Sequence, residues 1–128
     1  MKYFLLFLLS ASLTGLQAQT AGLDNISRAL GAGDVASLSS HFDTEVELSL
    51  LDKEDVFPKD KAAAQLKTFF GTYPPRNFNQ MYQGTSQGSD AEYCIGNLAT
   101  GNGVFRVYIY LRKAAGKLII QEMRFDRE

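Results

Sequence analysis

Residues 105–124 read FRVYIYLRKAAGKLIIQEMR. The first half alternates. Phe105, Val107, Ile109 and Leu111 fall on one side of an extended chain, and Arg106, Tyr108, Tyr110 and Arg112 fall on the other. A period of two marks a strand with one face in a core. Ala114-Ala115-Gly116 then reads as a hairpin turn, with Lys117 to Asp126 as the returning strand. A loop of those three residues, with Gly116 left-handed, sets the pairing. Lys113 lies opposite Lys117, Leu111 opposite Ile119, Val107 opposite Met123 and Phe105 opposite Phe125. The expected core face is Phe105, Val107, Ile109, Leu111, Ile119, Met123 and Phe125, with Gln121 as its polar member. The opposite face holds Arg106, Tyr108, Tyr110, Arg112, Leu118, Ile120, Glu122 and Arg124. A slip of one residue turns a strand's apolar set toward water, so this register is a strong constraint.

Working toward the N-terminus, Gly101-Asn102-Gly103 is a second hairpin turn, since Asn and Gly tolerate the positive φ of tight turns. A two-residue Asn102-Gly103 turn puts Cys94, Gly96 and Leu98 on the core side; a three-residue turn puts Tyr93, Ile95 and Asn97 there. Ala91 to Thr100 and Phe78 to Thr85 are the preceding strands, joined by the polar turn SQGSD. Gly96 inside a strand pattern suggests a bend. Before them, Lys59 to Thr72 carries Ala62, Leu66, Phe69 and Tyr73 on one helical stripe, with Ala63 and Phe70 beside it. Pro58 suits a helix start, and Gly71 with Pro74-Pro75 forces its end.

Thr44 to Leu51 alternates as a strand, DKED is a turn by composition, and Val56-Phe57 reads as a brief strand. The earliest periodic segment, Ala21 to Leu30, fits a helix through Leu23, Ile26 and Leu30, and Gly31 and Gly33 stop it. Asp34 is a good N-cap for a second short helix with apolar positions Val35, Leu38 and Phe42. Helices, a short hairpin, a helix and a long antiparallel meander define an α+β domain with its helices on one face of a curved sheet.

The chain has 128 residues and a net charge of −1. It begins MKYFLLFLLSASLTGLQAQT. One basic residue, an apolar run and a small-residue end at Ala18 form the layout of a secretory signal peptide, with the cut after Ala18. The apolar run is shorter than the roughly 20 residues that span a bilayer. The expectation is a signal peptide over residues 1–18 and one domain over 19–128, exported to the periplasm or beyond and not stably inserted in a membrane. Near-neutral charge offers no field for nucleic acid. Cys94 is the single cysteine, which permits no internal disulfide and suits a small buried hydrophobe.

Chemistry-bearing motifs are sparse. The single histidine, His41, and Cys94 match no zinc spacing, and no metal or cofactor is expected. GAGD follows a helix and lacks a Lys-Ser/Thr pair, so it is a helix stop and not a phosphate loop. Ser39, Ser40 and His41 are sequence neighbours on a helix and do not face each other. His41 suits the helix C-terminus. No acid–base pair stands out, and no catalytic residue is assigned.

ISRALGAGDVASLSSHFDTEVELSLLDKED, the AQLKTFF helix and GVFRVYIYLRKAAGKLIIQEMRF carry a resemblance over essentially the whole mature chain. They resemble the nuclear-transport-factor-2-like superfamily, a cone-shaped α+β or cystatin-like fold. In detail they are similar to an uncharacterised family of small exported bacterial domains. The resemblance implies a pocket between the sheet and the helices, and an outer face that often meets a second subunit. The superfamily includes ketosteroid-isomerase-like enzymes, binders and domains that only dimerise, so the fold alone selects none of these.

The reading is a non-catalytic binding or interaction domain. One alternative is a cofactor-free isomerase or dehydratase using the cone cavity, and another is a dimerising subunit. Phe70, Tyr73, Tyr82 and Gln121 are the expected cavity lining for a small apolar ligand. Arg106, Tyr108, Tyr110, Arg112 and Ile120 are the expected interaction face, toward a second copy or an envelope protein. Tyrosine, arginine and a few aliphatics are the composition of contact surfaces.

Overall fold

The computed structural model describes residues 14–85 and 90–128, with side chains from Gly22 onward. Its elements are α1 (Thr14–Ala32), α2 (Val35–Ser39), β1 (Phe42–Leu50), β2 (Lys53–Pro58), α3 (Lys59–Thr72), β3 (Pro75–Thr85), β4 (Ala91–Thr100), β5 (Gly103–Ala114) and β6 (Lys117–Arg127). The expected α+β order holds: helices pack on one face of a six-stranded curved sheet ordered β2-β1-β6-β5-β4-β3. The meander β3 to β6 is antiparallel, and β1 joins β6 in parallel. The turn expected within SQGSD falls on residues 86–89, and most of the expected signal peptide on residues 1–13; both lie outside the described residues.

The helical layer follows local rules. Residues of α1 at the expected spacings, Leu23, Ile26 and Leu30, are buried. The helix starts earlier than Ala21, so Ala18 lies inside it. Its end is a Schellman motif. Gly33 is left-handed at φ 66°, and the N–H groups of Gly33 and Asp34 donate to the carbonyls of Leu30 and Ala29. Asp34 caps α2, accepting from the Ser37 amide at 3.1 Å. Phe42, expected on this helix, instead opens β1: α2 ends at Ser39, and the Ile120 amide donates to the His41 carbonyl at 2.7 Å, which draws the chain into the sheet.

The β5–β6 register differs from the expected one. The loop has two residues, Ala115 (φ 51°) and Gly116 (φ 76°), so Ala114 pairs with Lys117 and Leu111 with Ile120. Both φ values are positive, the geometry of a type I′ turn. That register puts Leu118 and Ile120 in the core and Ile119 on the outer side. Continued unchanged, it would turn Met123 and Phe125 outward. A bulge prevents this: Gln121 is the extra residue, Tyr110 pairs with Glu122, and Met123 and Phe125 return to the core opposite Ile109 and Val107. Gln121 is exposed and not a core member.

The β4–β5 hairpin also has a two-residue loop, Gly101-Asn102, with Thr100 opposite Gly103. It puts Cys94 and Leu98 in the core, so the Cys94/Gly96/Leu98 side faces inward. Gly96 is needed for a close approach. A Cβ there would lie 2.5 Å from the Asn79 carbonyl oxygen and 2.5 Å from the Phe78 ring.

An aromatic cluster fills the space between α3 and the sheet. The Phe69 ring lies 5.4 Å from Phe105 and 5.2 Å from Phe125, and Tyr73 lies 4.9 Å from Phe105. Full burial of each large side chain contributes about 1.5–3 kcal/mol, so this cluster is a main source of stability.

Candidate functional site

The expected cavity residues do not converge. Phe70 is buried against Phe125, with ring centroids 6.0 Å apart. Tyr73 packs in the same cluster, and its hydroxyl accepts from Arg127 at 3.0 Å. Tyr82 is 59 % exposed on β3 and belongs to the other side of the sheet. Gln121 sits at the bulge, its Nε2 3.5 Å from Asp43 Oδ2. The apolar lining read from α3 is therefore core packing, and the two polar members were displaced by bulges. On β3 a register shift near Met81 re-aims Tyr82, which pairs with Ile95.

Of the expected interaction face, Arg106, Tyr108, Tyr110 and Arg112 share the outer side of β5. Ile120 does not: it is fully buried, because the two-residue turn exchanges it with Ile119. Cross-strand pairing assembles the outer face into rows. One row runs Val56, Glu47, Glu122, Tyr110, Tyr93, Gly84 from β2 to β3; the next runs Glu54, Ser49, Arg124, Tyr108, Ile95, Tyr82. The Tyr93 ring lies over Gly84, where an added Cβ would meet it at 2.3 Å. Tyr110 is 48 % exposed at the middle of this surface. Direct readout of the alternation found Tyr108 and Tyr110; Tyr82, Tyr93 and Ile95 required the strand order.

Electrostatics divide the face. The β2–β1–β6 flank holds Glu47, Glu54 and Glu122, whose carboxylate oxygens lie within 4.8 Å of one another. The hydrogen bond with Glu54 and the charge of Glu122 raise the Glu47 pKa above its ordinary value. No local pattern marks this trio, because its members come from three strands. On β5, Arg112 lies 3.4 Å from Asp43 and Arg106 pairs with Glu128. Donation from the Thr44 amide, with help from Gln121 and Arg112, lowers the Asp43 pKa.

On the helix-bearing side, Glu92 is a buried carboxylate. One oxygen lies 2.8 Å from the Lys113 ammonium, and Oε2 has no hydrogen-bond partner among the described residues. Burial pushes the Cys94 thiol up to about 11, which leaves it unreactive. The His41 ring holds its Nδ1 3.4 Å from the Leu118 carbonyl, a tie between the helical layer and β6 rather than a helix cap.

Helices against a curved six-stranded sheet, with an aromatic-filled interior and a tyrosine-bearing outer face, give this chain a cystatin-like fold. The chain belongs to the family described as domain of unknown function DUF4783, which matches residues 23–126. It is similar to the crystal structure of a DUF4783 protein from Bacteroides uniformis, at 28 % identity over 82 % of this chain and 95 % of that one, TM-score 0.76. A DUF4783 protein from Bacteroides ovatus is 30 % identical over 81 % of this chain and 93 % of its own, TM-score 0.76. A cystatin-like protein of unknown function from Nostoc punctiforme shares the fold at 13 % identity, covering 88 % of this chain and 90 % of its own, TM-score 0.66. No curated protein matches the chain. Among the described residues no helix is long and apolar enough to cross a membrane.

Proposed function

We propose that this is an exported, non-catalytic interaction module whose working surface is the outer face of the sheet and whose partner is a second copy of the chain. The observation that carries the reading is the exposed tyrosine patch, Tyr82 and Tyr110 flanking Tyr93, Ile95 and Tyr108 across β3, β4 and β5. Tyrosine offers large contact area at low entropic cost, and such clusters anchor interfaces. The arginines of β5 on the same surface are already paired, Arg106 with Glu128 and Arg112 with Asp43, so the tyrosines carry the contact in a two-fold arrangement. Export is supported by the layout of residues 1–18.

The alternative, a cofactor-free isomerase, needs a carboxylate and a tyrosine converging in an open cavity. The aromatic packing of Phe69, Tyr73, Phe105 and Phe125 weighs against it. A small apolar ligand in the same space meets the same packing.

Sedimentation over a range of concentrations tests the proposal. The wild-type chain is expected to self-associate, and Tyr108→Glu with Tyr110→Glu to remain folded and monomeric. A wild-type chain that stays monomeric at every concentration, or a folded double variant that associates like wild type, overturns it. In the first case an envelope protein becomes the occupant to pursue.

A further inference from the structure

A groove of about 470 Å³ lies between α1 and the α2 segment, on the opposite layer from the outer sheet face. Its lining is Asn25, Arg28, Ala29 and Ala32 from α1 and Asp34, Ser37, Ser40 and His41 from the α2 segment. Asn25, Arg28, Ala29 and Ala32 share one helical face by their spacing of three and four. The two alanines leave room that longer side chains would fill.

The hydrogen-bond inventory of the groove is specific. The Ser37 hydroxyl donates to Asp34 Oδ2 at 2.7 Å, and the Ser40 hydroxyl to the Ser37 carbonyl at 2.6 Å. With their protons so placed, both hydroxyl oxygens keep lone pairs that can accept a hydrogen bond. The His41 Nδ1 contact with the Leu118 carbonyl requires a proton on that nitrogen, so in the neutral imidazole Nε2 is an acceptor too. Asp34 adds carboxylate oxygens. The donors are the Arg28 guanidinium and the Asn25 amide. Arg28 forms no ion pair with any described residue. One guanidinium and one carboxylate balance, so the groove favours neither an anion nor a cation.

We propose that this groove is a binding site for a small neutral polyol the size of a single hexose ring. Arg28 donates in fork geometry to two adjacent ligand hydroxyls. The hydroxyl protons go in turn to Asp34, Ser37, Ser40 and His41. Ala29 and Ala32 place only methyl groups in the groove's lining, so no longer side chain from those positions competes with a ring.

The test is amide chemical-shift mapping of the full chain with D-glucose and N-acetyl-D-glucosamine, with sodium acetate as an anion probe. At least one sugar is expected to shift amides of residues 25–41 saturably, with a dissociation constant on the order of 1 mM. Ala32→Tyr fills the groove from an exposed position and is expected to abolish the shifts. Arg28→Gln is expected to weaken binding about tenfold, the loss of roughly one charge-assisted hydrogen bond. Both variants should melt as wild type does. No saturable shift with either sugar, shifts that Ala32→Tyr leaves intact, or acetate acting on the same amides where sugars do not, would overturn the proposal. The outer-face variants leave this readout unchanged, so the two proposals fail separately.

Discussion

Tyr110 on β5 lies opposite Glu122 on β6, one residue out of the register that the Ala115-Gly116 turn sets for Leu111 and Ile120. The offset is the bulge at Gln121, and it decides which side chains reach the core and which form the outer face. Without it, either Leu118 and Ile120 or Met123 and Phe125 would point away from the helices.

Deleting Gln121 should therefore damage the fold far more than substituting it. The deletion forces one apolar pair out of the core, at about 1.5–3 kcal/mol for each side chain. The expected loss, roughly 3–6 kcal/mol, is a large part of a typical domain's stability. Gln121→Ala keeps the extra residue and should cost under about 1 kcal/mol. Urea denaturation of the two variants, compared by midpoint, checks the contrast.

The turn itself carries strain. Ala115 holds φ 51°, a left-handed conformation that costs a residue with a Cβ about 1–2 kcal/mol. Ala115→Asn is expected to stabilise by about 0.5–1 kcal/mol, since Asn-Gly suits a type I′ loop. Gly116→Ala should destabilise by about 1 kcal/mol. Thermal melts resolve both, and a destabilised Ala115→Asn chain would contradict the two-residue geometry.

The Glu92–Lys113 pair, with Glu92 buried and Lys113 half-buried, makes a directional prediction. Lys113→Met strands a carboxylate that is only 5 % exposed, and loss of about 3 kcal/mol is expected at neutral pH. The Glu92→Leu, Lys113→Met double variant should recover most of that loss, because an apolar pair needs no compensation for burial. A double-mutant cycle by chemical denaturation measures the coupling. Additive losses would show that the pair contributes nothing.

Glu47 links stability to pH. Its folded pKa is raised above its ordinary value of 4.5 by Glu54 and Glu122, so the folded chain binds this proton more tightly than the unfolded one. The stabilising effect of the bound proton is complete below the ordinary value. It is lost as pH rises through the folded pKa, where the like charges repel. Glu47→Gln should raise stability at pH 7 by about 0.5 kcal/mol, the scale of a like-charge cross-strand pair, and the gain should vanish on acidification. Denaturation midpoints of both chains at pH 4 and pH 7 test the sign.

The sequence by itself determined the element order and the element of most apolar residues, Phe42 excepted. Periods of two and near 3.6, the Gly33 stop, the Asp34 cap and the glycine-rich turns are local signals, and each acts within a few residues. They located α3 and placed the tyrosines of β5 on one face, while the core side of β4 stayed open between two turn lengths until the Thr100–Gly103 pairing set it. The exchange of Ile119 with Ile120 was outside their reach. The turn length and the bulge are fixed jointly by packing: Leu118 and Ile120 must satisfy the helices while Met123 and Phe125 satisfy α3, and only an inserted residue permits both. The Glu47, Glu54 and Glu122 trio and the Tyr82–Ile95–Tyr108 row depended on strand order. Residues distant in the chain become neighbours only when β1 enters the sheet beside β6, and that pairing is a tertiary choice that no local period encodes.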